Sequence, residues 1–318
     1  MLNATVPAVI LAPMEGVTDA PMRLLHGATG AFTYAVSEFL RVSQAVPPKA
    51  VFFKHIPELK QGARTATGLP VQVQLLGGDA GRLAESAMRA VECGATAIDM
   101  NFGCPAKTVN RHDGGATLLQ YPHRIRDIIK AIRTAIPAHV PISAKLRLGW
   151  DDINAIHENA AMAEQGGATW ITIHARTRAQ GYQPPVFWPL IGRVREALAI
   201  PVVANGDIWT QEDFHRCRAE TGCIHFMLGR GALANPQLAH FVATELGLAT
   251  PREETPVDWR AQMINLMECS NVINETRPRQ TLLRMKQWLR LAAVHGTFRQ
   301  FNEAKRATTV EELLKAVL

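Results

Sequence analysis

The sequence predicts an α/β protein of the TIM barrel class, a (β/α)8 barrel, followed by a C-terminal helical domain. Short apolar runs rich in β-branched residues recur eight times, and each is followed by a stretch with helical periodicity. Polar and glycine-rich signatures fall at the carboxyl ends of these runs, which meet on one face of a barrel. The strand signal stops after Thr250. Eight strands that alternate with helices close into a barrel.

The predicted strands span residues 9–13, 32–39, 70–77, 97–105, 141–149, 170–177, 201–207 and 225–232. Each run ends at Gly, Pro, Asn or a charged residue, as expected where a buried parallel strand reaches the surface. Helical periodicity is clearest over 82–93, 122–136, 153–165, 189–198 and 211–220. We therefore expect residues 1–250 to form the barrel.

A linker-like stretch, Pro251 to Pro256, precedes a region with helical signals only, and we expect 256–318 to form a small helical domain. A helix over 279–294 would have two faces. Its apolar stripe consists of Leu282, Met285, Leu289 and Ala293, and its basic face consists of Arg279, Lys286 and Arg290. The apolar stripe is expected to pack and the basic face to meet a partner.

The positive charge of the chain is concentrated in this region. The net charge is +6, yet residues 277–306 contain eight basic residues and one acid, Glu303, so the rest of the chain is close to neutral. A basic segment on a near-neutral body suggests an anionic partner that binds at one place, and RNA is the obvious candidate.

Several classes of protein are not expected. No apolar run approaches the ~20 residues of a membrane-spanning helix, and the first residues do not resemble a secretion signal. The five cysteines are scattered without a C-x-x-C pair, which argues against a disulfide framework and against a zinc site. We therefore expect a soluble cytoplasmic protein with no metal and no membrane partner.

The segment Asn101-Phe-Gly-Cys-Pro-Ala-Lys107 contains the best candidate for a catalytic residue. It follows an apolar run, and Pro105 favours an extended conformation at Cys104. The thiol is therefore expected to project from the end of a strand, where it could act as an acid or as a nucleophile.

Other strand ends suggest an anion site beside this cysteine. Asn205-Gly206-Asp207-Ile208 and Gly229-Arg230-Gly231 follow strands seven and eight, the usual phosphate site of barrel enzymes. Lys145 would be an unpaired ammonium in the barrel unless something anionic or electron-rich meets it. His174 and Gln74 lie at further strand ends, and no G-x-G-x-x-G motif follows a strand.

The order of these motifs resembles that of the tRNA-dihydrouridine synthases over nearly the whole barrel. The matching motifs are Leu11-Ala-Pro-Met-Glu-Gly-Val-Thr-Asp19, Gln74-Leu-Leu-Gly77, the Cys104 segment with Lys107, Lys145-Leu-Arg147, His174-Ala-Arg-Thr177 and both glycine turns. Gly114-Gly-Ala-Thr-Leu-Leu119 and Met285-Lys-Gln-Trp288 resemble more closely the bacterial subfamily that reduces uridine 16 of the tRNA D-loop.

This resemblance implies a flavin enzyme that takes hydride from NADPH and reduces the C5–C6 bond of uracil in tRNA. The implied FMN contacts are Pro13, Met14, Glu15, Gln74, Lys145, His174, Asn205, Gly206, Asp207, Gly229 and Arg230. Cys104 would protonate C5, and Asn101 would contact the uracil. The implied tRNA contacts are Arg41, Arg147, Tyr182, Arg279, Lys286 and Arg290. No protein partner is implied, so a monomer is expected.

The sequence departs from the family pattern at two places on the catalytic loop. Ala106 stands where many members have serine, and Arg111-His112-Asp113 where small residues are common. Two other functions stay open: an FMN dehydrogenase of a free pyrimidine, similar to dihydroorotate dehydrogenases, and an RNA-binding barrel without catalysis. The first does not explain the basic C-terminal segment, and the second does not explain Cys104 and Lys145.

Overall fold

The computed structural model describes residues 1–253, 255–273 and 278–317. Its strands are β1 (Ala8–Leu11), β2 (Tyr34–Val36), β3 (Leu40–Arg41), β4 (Val71–Leu76), β5 (Ile98–Asn101), β6 (Ile142–Arg147), β7 (Trp170–His174), β8 (Val202–Asn205) and β9 (His225–Leu228). The strands pair in parallel, and the sheet closes because β2 pairs with both β1 and β4. This closed barrel of eight strands, with β3 as a short addition, confirms the predicted TIM barrel.

The second barrel strand begins and ends two residues later than predicted and is interrupted. Both β2 and β3 pair with β4. Between them, the Ser37 hydroxyl oxygen accepts the Gln74 N–H at 3.1 Å in place of a main-chain carbonyl. The predicted end at residue 39 was therefore wrong, because pairing resumes at Leu40 after this break and places Arg41 at the end of the strand.

Helices follow the strands as the periodicity predicted. The barrel region contains α1 (Ala20–Gly27), α2 (Lys49–His55), α3 (Ala80–Glu92), α4 (Lys107–Asn110), α5 (Pro122–Ala135), α6 (Ala155–Gln165), α7 (Trp188–Ala197), α8 (Gln211–Thr221), α9 (Arg230–Ala234) and α10 (Pro236–Glu245), with short 3-10 helices at Pro57–Gln61 and Gly115–Gln120. Asp79 caps α3, and Thr210 and Asp213 form a capping box at α8. The five predicted helices correspond to α3 and α5 to α8, within about two residues at each end.

The barrel lumen has a polar half and an apolar half. The register places Gln74, Asp99 and Ser143 side by side on β4, β5 and β6, and Asn101 beside Lys145 nearer to the carboxyl ends. The apolar cluster of the lumen includes Ala8, Ile10, Ala12, Tyr34, Val36, Trp170, Val203 and Met227. Buried polar groups need hydrogen-bond partners, so the polar half must satisfy itself or meet a ligand.

The C-terminal region consists of α11 (Trp259–Val272), α12 (Pro278–Val294), α13 (Phe301–Ala304) and α14 (Val310–Ala316). It shares an apolar cluster with the barrel region, in which Met22 of α1 and Leu233 of α9 pack with Met285 and Trp288 of α12. The Trp288 indole N–H donates to the Leu233 carbonyl at 2.7 Å. These contacts hold α12 beside the barrel mouth, while the division into domains at 250 and 256 stays a prediction.

The faces of α12 follow the predicted pattern. Leu282, Met285 and Leu289 are buried, whereas Arg279 and Arg290 are exposed. Arg277, the first basic residue of the predicted segment, lies outside the described residues. None of the described helices is both long and apolar enough to cross a membrane.

Candidate active site

A cavity of about 560 Å³ opens at the carboxyl ends of the barrel strands. Most of the predicted site residues line it: Pro13, Met14, Glu15, Asn101, Cys104, Lys145, Arg147, His174, Tyr182, Asn205, Gly206, Asp207, Gly229 and Arg230. Residues that are far apart in the sequence meet here because parallel strands bring their carboxyl ends to one face. The cavity has the size of a small-molecule site.

Five predicted residues do not line this cavity. Gln74 is fully buried, and its side chain bonds Asp99 and Asn101. Arg41 is exposed and donates to the Thr108 carbonyl at 3.3 Å, so it contacts the loop that carries Cys104. The other three, Arg279, Lys286 and Arg290, are on α12.

The side chain of Asn101 fixes the start of the cysteine loop. Its carboxamide oxygen accepts the N–H groups of Gly103 at 3.0 Å and Cys104 at 2.9 Å. Arg147 donates through Nε to the Gly103 carbonyl at 2.9 Å, and the Ala116 N–H donates to the Cys104 carbonyl at 3.1 Å. The thiol therefore lies on a loop whose main chain is held from three directions.

Asp113, which stands where small residues are common in the family pattern, supports the far end of the same loop. It has a φ of +58° and forms an ion pair with Arg124 at 2.6 Å. Aspartate is among the residues that most readily adopt a left-handed conformation. This departure from the family pattern therefore has a local structural role in the loop.

The environment of Cys104 keeps its thiol protonated. Burial raises the pKa of the Cys104 thiol, and this effect outweighs the opposing influence of the Ala106 N–H and of Arg147. A protonated thiol is a proton donor and a poor nucleophile. Of the two roles that the sequence left open, the structure therefore favours the acid.

Alkylation with iodoacetamide checks this protonation state. We expect Cys104 in the folded protein to react at pH 7.5 at least about tenfold more slowly than in the unfolded chain, because the thiolate is the reactive form. The rate should rise steeply above pH 9. Mass mapping separates Cys104 from Cys269, the other half-buried cysteine. Rapid alkylation of Cys104 at neutral pH would instead indicate a thiolate nucleophile.

Lys145 and His174 both line the cavity. Lys145 Nζ donates to the Asn205 side-chain oxygen at 2.9 Å, and the Asn205 amide donates to the Met227 carbonyl at 2.8 Å. Burial, with help from Arg147, lowers the pKa of Lys145 to about 8. Burial and four neighbouring cations lower the pKa of His174 well below its usual range, so the imidazole is neutral at pH 7. Its Nδ1 has no partner.

The turn after β8 has the shape of an anion site. Gly206 and Asp207 have φ values of +115° and +52°, and successive N–H groups in such turns form concavities that bind anions. The carboxylate of Asp207 pairs with Arg230 at 3.1 Å and with buried Arg176. Asp207 therefore orients two arginines, which is a different role from a direct contact with an anion.

Glycine residues keep the turn after β9, Gly229-Arg230-Gly231, open. A Cβ at Gly231 would lie 2.0 Å from the Ile208 carbonyl oxygen, so no other residue fits there without a main-chain shift. A Cβ at Gly229 would lie 3.4 Å from Met14 Sδ, in ordinary contact. The close approach of the two glycine turns depends on Gly231 in particular.

The charges around the cavity do not balance. Lys145, Arg147 and Arg230 line it, and Arg176 lies behind Asp207. Three carboxylates oppose these four cations: Asp207, Glu15 and Asp99, the last through its interaction with Lys145. Arg176 is fully buried, and its Nε and Nη1 have no partner. Buried polar groups without hydrogen-bond partners are costly, so these free N–H groups and the excess of positive charge favour an anionic ligand in the cavity.

Sequence reasoning missed three residues of this site. Arg176 was included only as part of the His174-Ala-Arg-Thr177 motif, although its position two residues after His174 on the same run was a usable signal. Trp209 directly follows the Asn205–Ile208 motif and lines the cavity. Its ring stacks on that of His295 at 3.6 Å, and the Arg230 guanidinium lies 5.0 Å from the centroid of the Trp209 ring. The contact with His295 joins distant segments and has no signal in the sequence.

Fold and site together define the class of the protein. The TIM barrel has a cavity lined by cationic side chains at the carboxyl ends of its strands and a cysteine at the rim of that cavity, which is the arrangement of a barrel enzyme. A family model described as "Dihydrouridine synthase (Dus)" matches residues 10–318. The chain therefore belongs to the dihydrouridine synthase family.

Curated relatives agree with this assignment. The tRNA-dihydrouridine(16) synthase of Shewanella oneidensis is 47% identical over 286 residues, which are 88% of this chain and 87% of that protein. The protein of the same name from Haemophilus influenzae is 44% identical over 309 residues, 96% and 97% of the two chains. A third, from Neisseria meningitidis serogroup B, is 40% identical over 315 residues, 96% and 93% of the two chains.

Solved structures confirm the fold alone. Histamine dehydrogenase from Rhizobium sp. 4-9 has a TM-score of 0.58 at 13% identity and aligns with 84% of this chain and 49% of its own. A 2-naphthoyl-CoA reductase has the same TM-score and identity and aligns with 75% and 50%. This chain therefore spans about half the length of either neighbour, the part that contains a barrel.

Proposed function

We propose that this protein reduces uridine 16 of tRNA to 5,6-dihydrouridine, with bound FMN as its cofactor and NADPH as the hydride donor. The observation that supports this most directly is the protonated Cys104 thiol at the rim of a cationic barrel cavity. The proposal includes a cytoplasmic location and a monomeric state, both of which are compatible with a tRNA substrate.

The residues around the cavity fit the ribityl phosphate of FMN. The phosphate is close to a dianion at neutral pH, and the four cations exceed the three carboxylates around them by about one charge. Asn205, Gly206 and Gly229 would offer the main-chain turns, and Arg230 a charge-assisted hydrogen bond. Asp207 would hold Arg230 in place. This assignment explains the open glycine turns and the buried Arg176.

Other residues fit the isoalloxazine ring. Pro13, Met14 and Glu15 form one wall of the cavity, and Lys145 would supply positive charge to the electron-rich ring. Neutral His174 keeps an unpartnered Nδ1 beside it. When bound, the reduced flavin supplies the hydride for C6 of the uracil.

Cys104 supplies the proton in this proposal. As hydride reaches C6, negative charge develops at C5 and O4 of the uracil, and a donor at a fixed position is then needed. The thiol S–H gives its proton to C5 and is left as a thiolate, which Arg147 and the Ala106 N–H stabilise. We assign Asn101 and Gln74 mainly to holding this loop, because their side-chain polar atoms are already bonded to the loop, to each other or to Asp99.

The tRNA surface is assigned to the rim and to α12. Arg147 and Tyr182 lie together at the mouth, with the guanidinium 5.2 Å from the ring centroid, and Arg41 contacts the loop from outside. On α12, Arg279 and Arg290 are free to meet phosphate. Lys286 donates to the Ala307 carbonyl at 2.5 Å, so its contribution to tRNA binding would be smaller.

Anaerobic reoxidation of the flavin tests the whole proposal. The flavin of the purified protein is reduced with NADPH, tRNA that lacks dihydrouridine is added, and reoxidation is followed while the modified base is mapped. We expect reoxidation only with tRNA, and modification at position 16. Modification at another position would overturn the choice of uridine. Reoxidation by free pyrimidines alone would support the dehydrogenase alternative, and a colourless protein that binds tRNA would overturn catalysis.

Charge reversal on α12 tests the tRNA surface. Arg279→Glu combined with Arg290→Glu is expected to weaken tRNA binding at least about tenfold at 0.1 M salt and to reduce the salt dependence by about two phosphate contacts. The matched control is Lys130→Glu with Arg193→Glu, which reverses two exposed cations on α5 and α7. Equal affinities of the two double variants would show that the α12 face is only solvated.

A further inference from the structure

A continuous chain of hydrogen bonds connects the centre of the barrel to the cysteine loop. Asp99 accepts the Ser143 hydroxyl at one carboxylate oxygen and the Gln74 amide, at 2.7 Å, at the other. The Gln74 carbonyl oxygen accepts the Asn101 amide at 2.9 Å. The Asn101 oxygen in turn accepts the N–H groups of Gly103 and Cys104. Asp99 and Gln74 are almost completely buried.

The two ends of this chain fix the direction of every bond in it: Asp99 is the acceptor at one end, and the N–H groups of Gly103 and Cys104 are the donors at the other. An ionised carboxylate only accepts hydrogen bonds, so Gln74 must turn its NH2 group towards Asp99 and its oxygen towards Asn101. Asn101 must then turn its NH2 group towards Gln74 and its oxygen towards the loop. If Gln74 were reversed, two NH2 groups would face each other, and Asn101 could hold the loop only by giving up the bond to Gln74.

We infer that Asp99 is a positioning residue for Cys104, because its carboxylate orients Gln74 and Asn101 and thereby fixes the loop that presents the thiol. This inference rests on the proposed role of Cys104 as proton donor. Asp99 does not line the cavity. It reaches the cysteine loop through the two amides, and it also interacts electrostatically with Lys145.

The surroundings of Asp99 are consistent with an acceptor. Burial raises the pKa of Asp99 to about 6, while Ser143, Gln74 and Lys145 oppose this rise, so the carboxylate is ionised at neutral pH. The register places Gln74 and Ser143 on either side of it. Gln72 donates to the Ser143 oxygen at 2.9 Å, on the side of Asp99 away from the loop.

A matched pair of variants separates positioning from general stability. Gln74→Met and Gln72→Met replace equally buried amides on the same strand by side chains of similar size. Only the first breaks the chain between Asp99 and the loop. We expect Gln74→Met to lower kcat on tRNA by about 10- to 100-fold with little change in KM. Gln72→Met should stay within about threefold of the parent protein, since it affects only stability.

Exchanging the acid and the amide tests the direction of the bonds. Asp99→Asn alone allows Gln74 to reverse, and Gln74→Glu alone places two carboxylates together, so both single variants should lose activity. In the double variant Asp99→Asn, Gln74→Glu, the new Asn donates to the new Glu, which still accepts from Asn101. We expect kcat to return to within about threefold of the parent protein.

Alkylation of Cys104 gives a readout that does not depend on the proposed reaction. Release of the loop should speed iodoacetamide labelling of Cys104 at least about threefold in Gln74→Met and in both single exchange variants, with Cys269 unchanged as internal reference. The double variant and Gln72→Met should label like the parent protein. Unchanged labelling in all variants, or a double variant no better than the worse single one, would overturn the role of Asp99. If Cys104→Ala kept its activity, the proposal that Cys104 is the proton donor would be wrong. The labelling result would still test whether Asp99 positions the cysteine loop.

Discussion

Replacement of Cys104 by alanine is expected to lower dihydrouridine formation by about 10²- to 10⁴-fold, the usual contribution of a positioned general acid. The protein should keep its flavin, because the anion turns lie on β8 and β9 and do not include the cysteine loop. The residual rate would reflect proton transfer from water that enters the cavity. The measurement is single-turnover modification of tRNA under anaerobic conditions, with flavin content measured in the same preparation.

Two control variants make this result specific. Cys269→Ala removes the other half-buried cysteine, which is on α11, and should leave turnover unchanged. Cys104→Ser keeps a side chain of similar size but a much weaker acid, so its rate should lie between those of the parent protein and Cys104→Ala. Full turnover in Cys104→Ala would overturn the acid assignment, and loss of flavin in that variant would point to a structural role instead.

Much of the site could be predicted from the sequence because the barrel has a regular geometry. Once eight strands are recognised, their carboxyl ends must converge, and the polar residues at those ends become neighbours. The register of His174 beside Asn205 and of Asn101 beside Lys145 follows from this parallel arrangement. Gly206 was recognisable because a turn with positive φ favours glycine.

The partners of these residues could not be predicted, because they depend on side-chain directions in three dimensions. Asp207 was assigned to the phosphate from its place in a motif, yet its carboxylate pairs with Arg176 and Arg230. Gln74 lies beside Asp99 on the adjacent strand, and periodicity indicates which face of the strand it is on without indicating this hydrogen bond. Lys286 shares the periodicity of Arg290, but only the fold brings the Ala307 carbonyl close to it.

Replacement of Lys145 by methionine is expected to weaken FMN binding by about 10- to 100-fold, the loss of one charge-assisted hydrogen bond. In the parent protein, FMN affinity should fall as the pH rises through about 8, because the ammonium loses its proton there. A bound anion stabilises the charged form, so binding at pH 9 should take up a proton. The Lys145→Met variant should show neither the pH dependence nor the proton uptake, which calorimetry in two buffers measures.

Whereas FMN affinity should fall as the pH rises, the stability of the FMN-free protein should increase with pH. Burial lowers the pKa of Lys145 from 10.5 to about 8, so between these values the unfolded chain binds more protons, and the contribution of Lys145 to the unfolding free energy rises with pH. At pH 7 the folded protein must bury a charged ammonium, and Lys145→Met should therefore raise the melting temperature of the FMN-free protein. A variant that is more stable yet binds FMN less tightly would mean that Lys145 serves the ligand at a cost to the fold. A Lys145→Met variant that is less stable but has unchanged FMN affinity would mean that Lys145 stabilises the barrel and does not contribute to FMN binding.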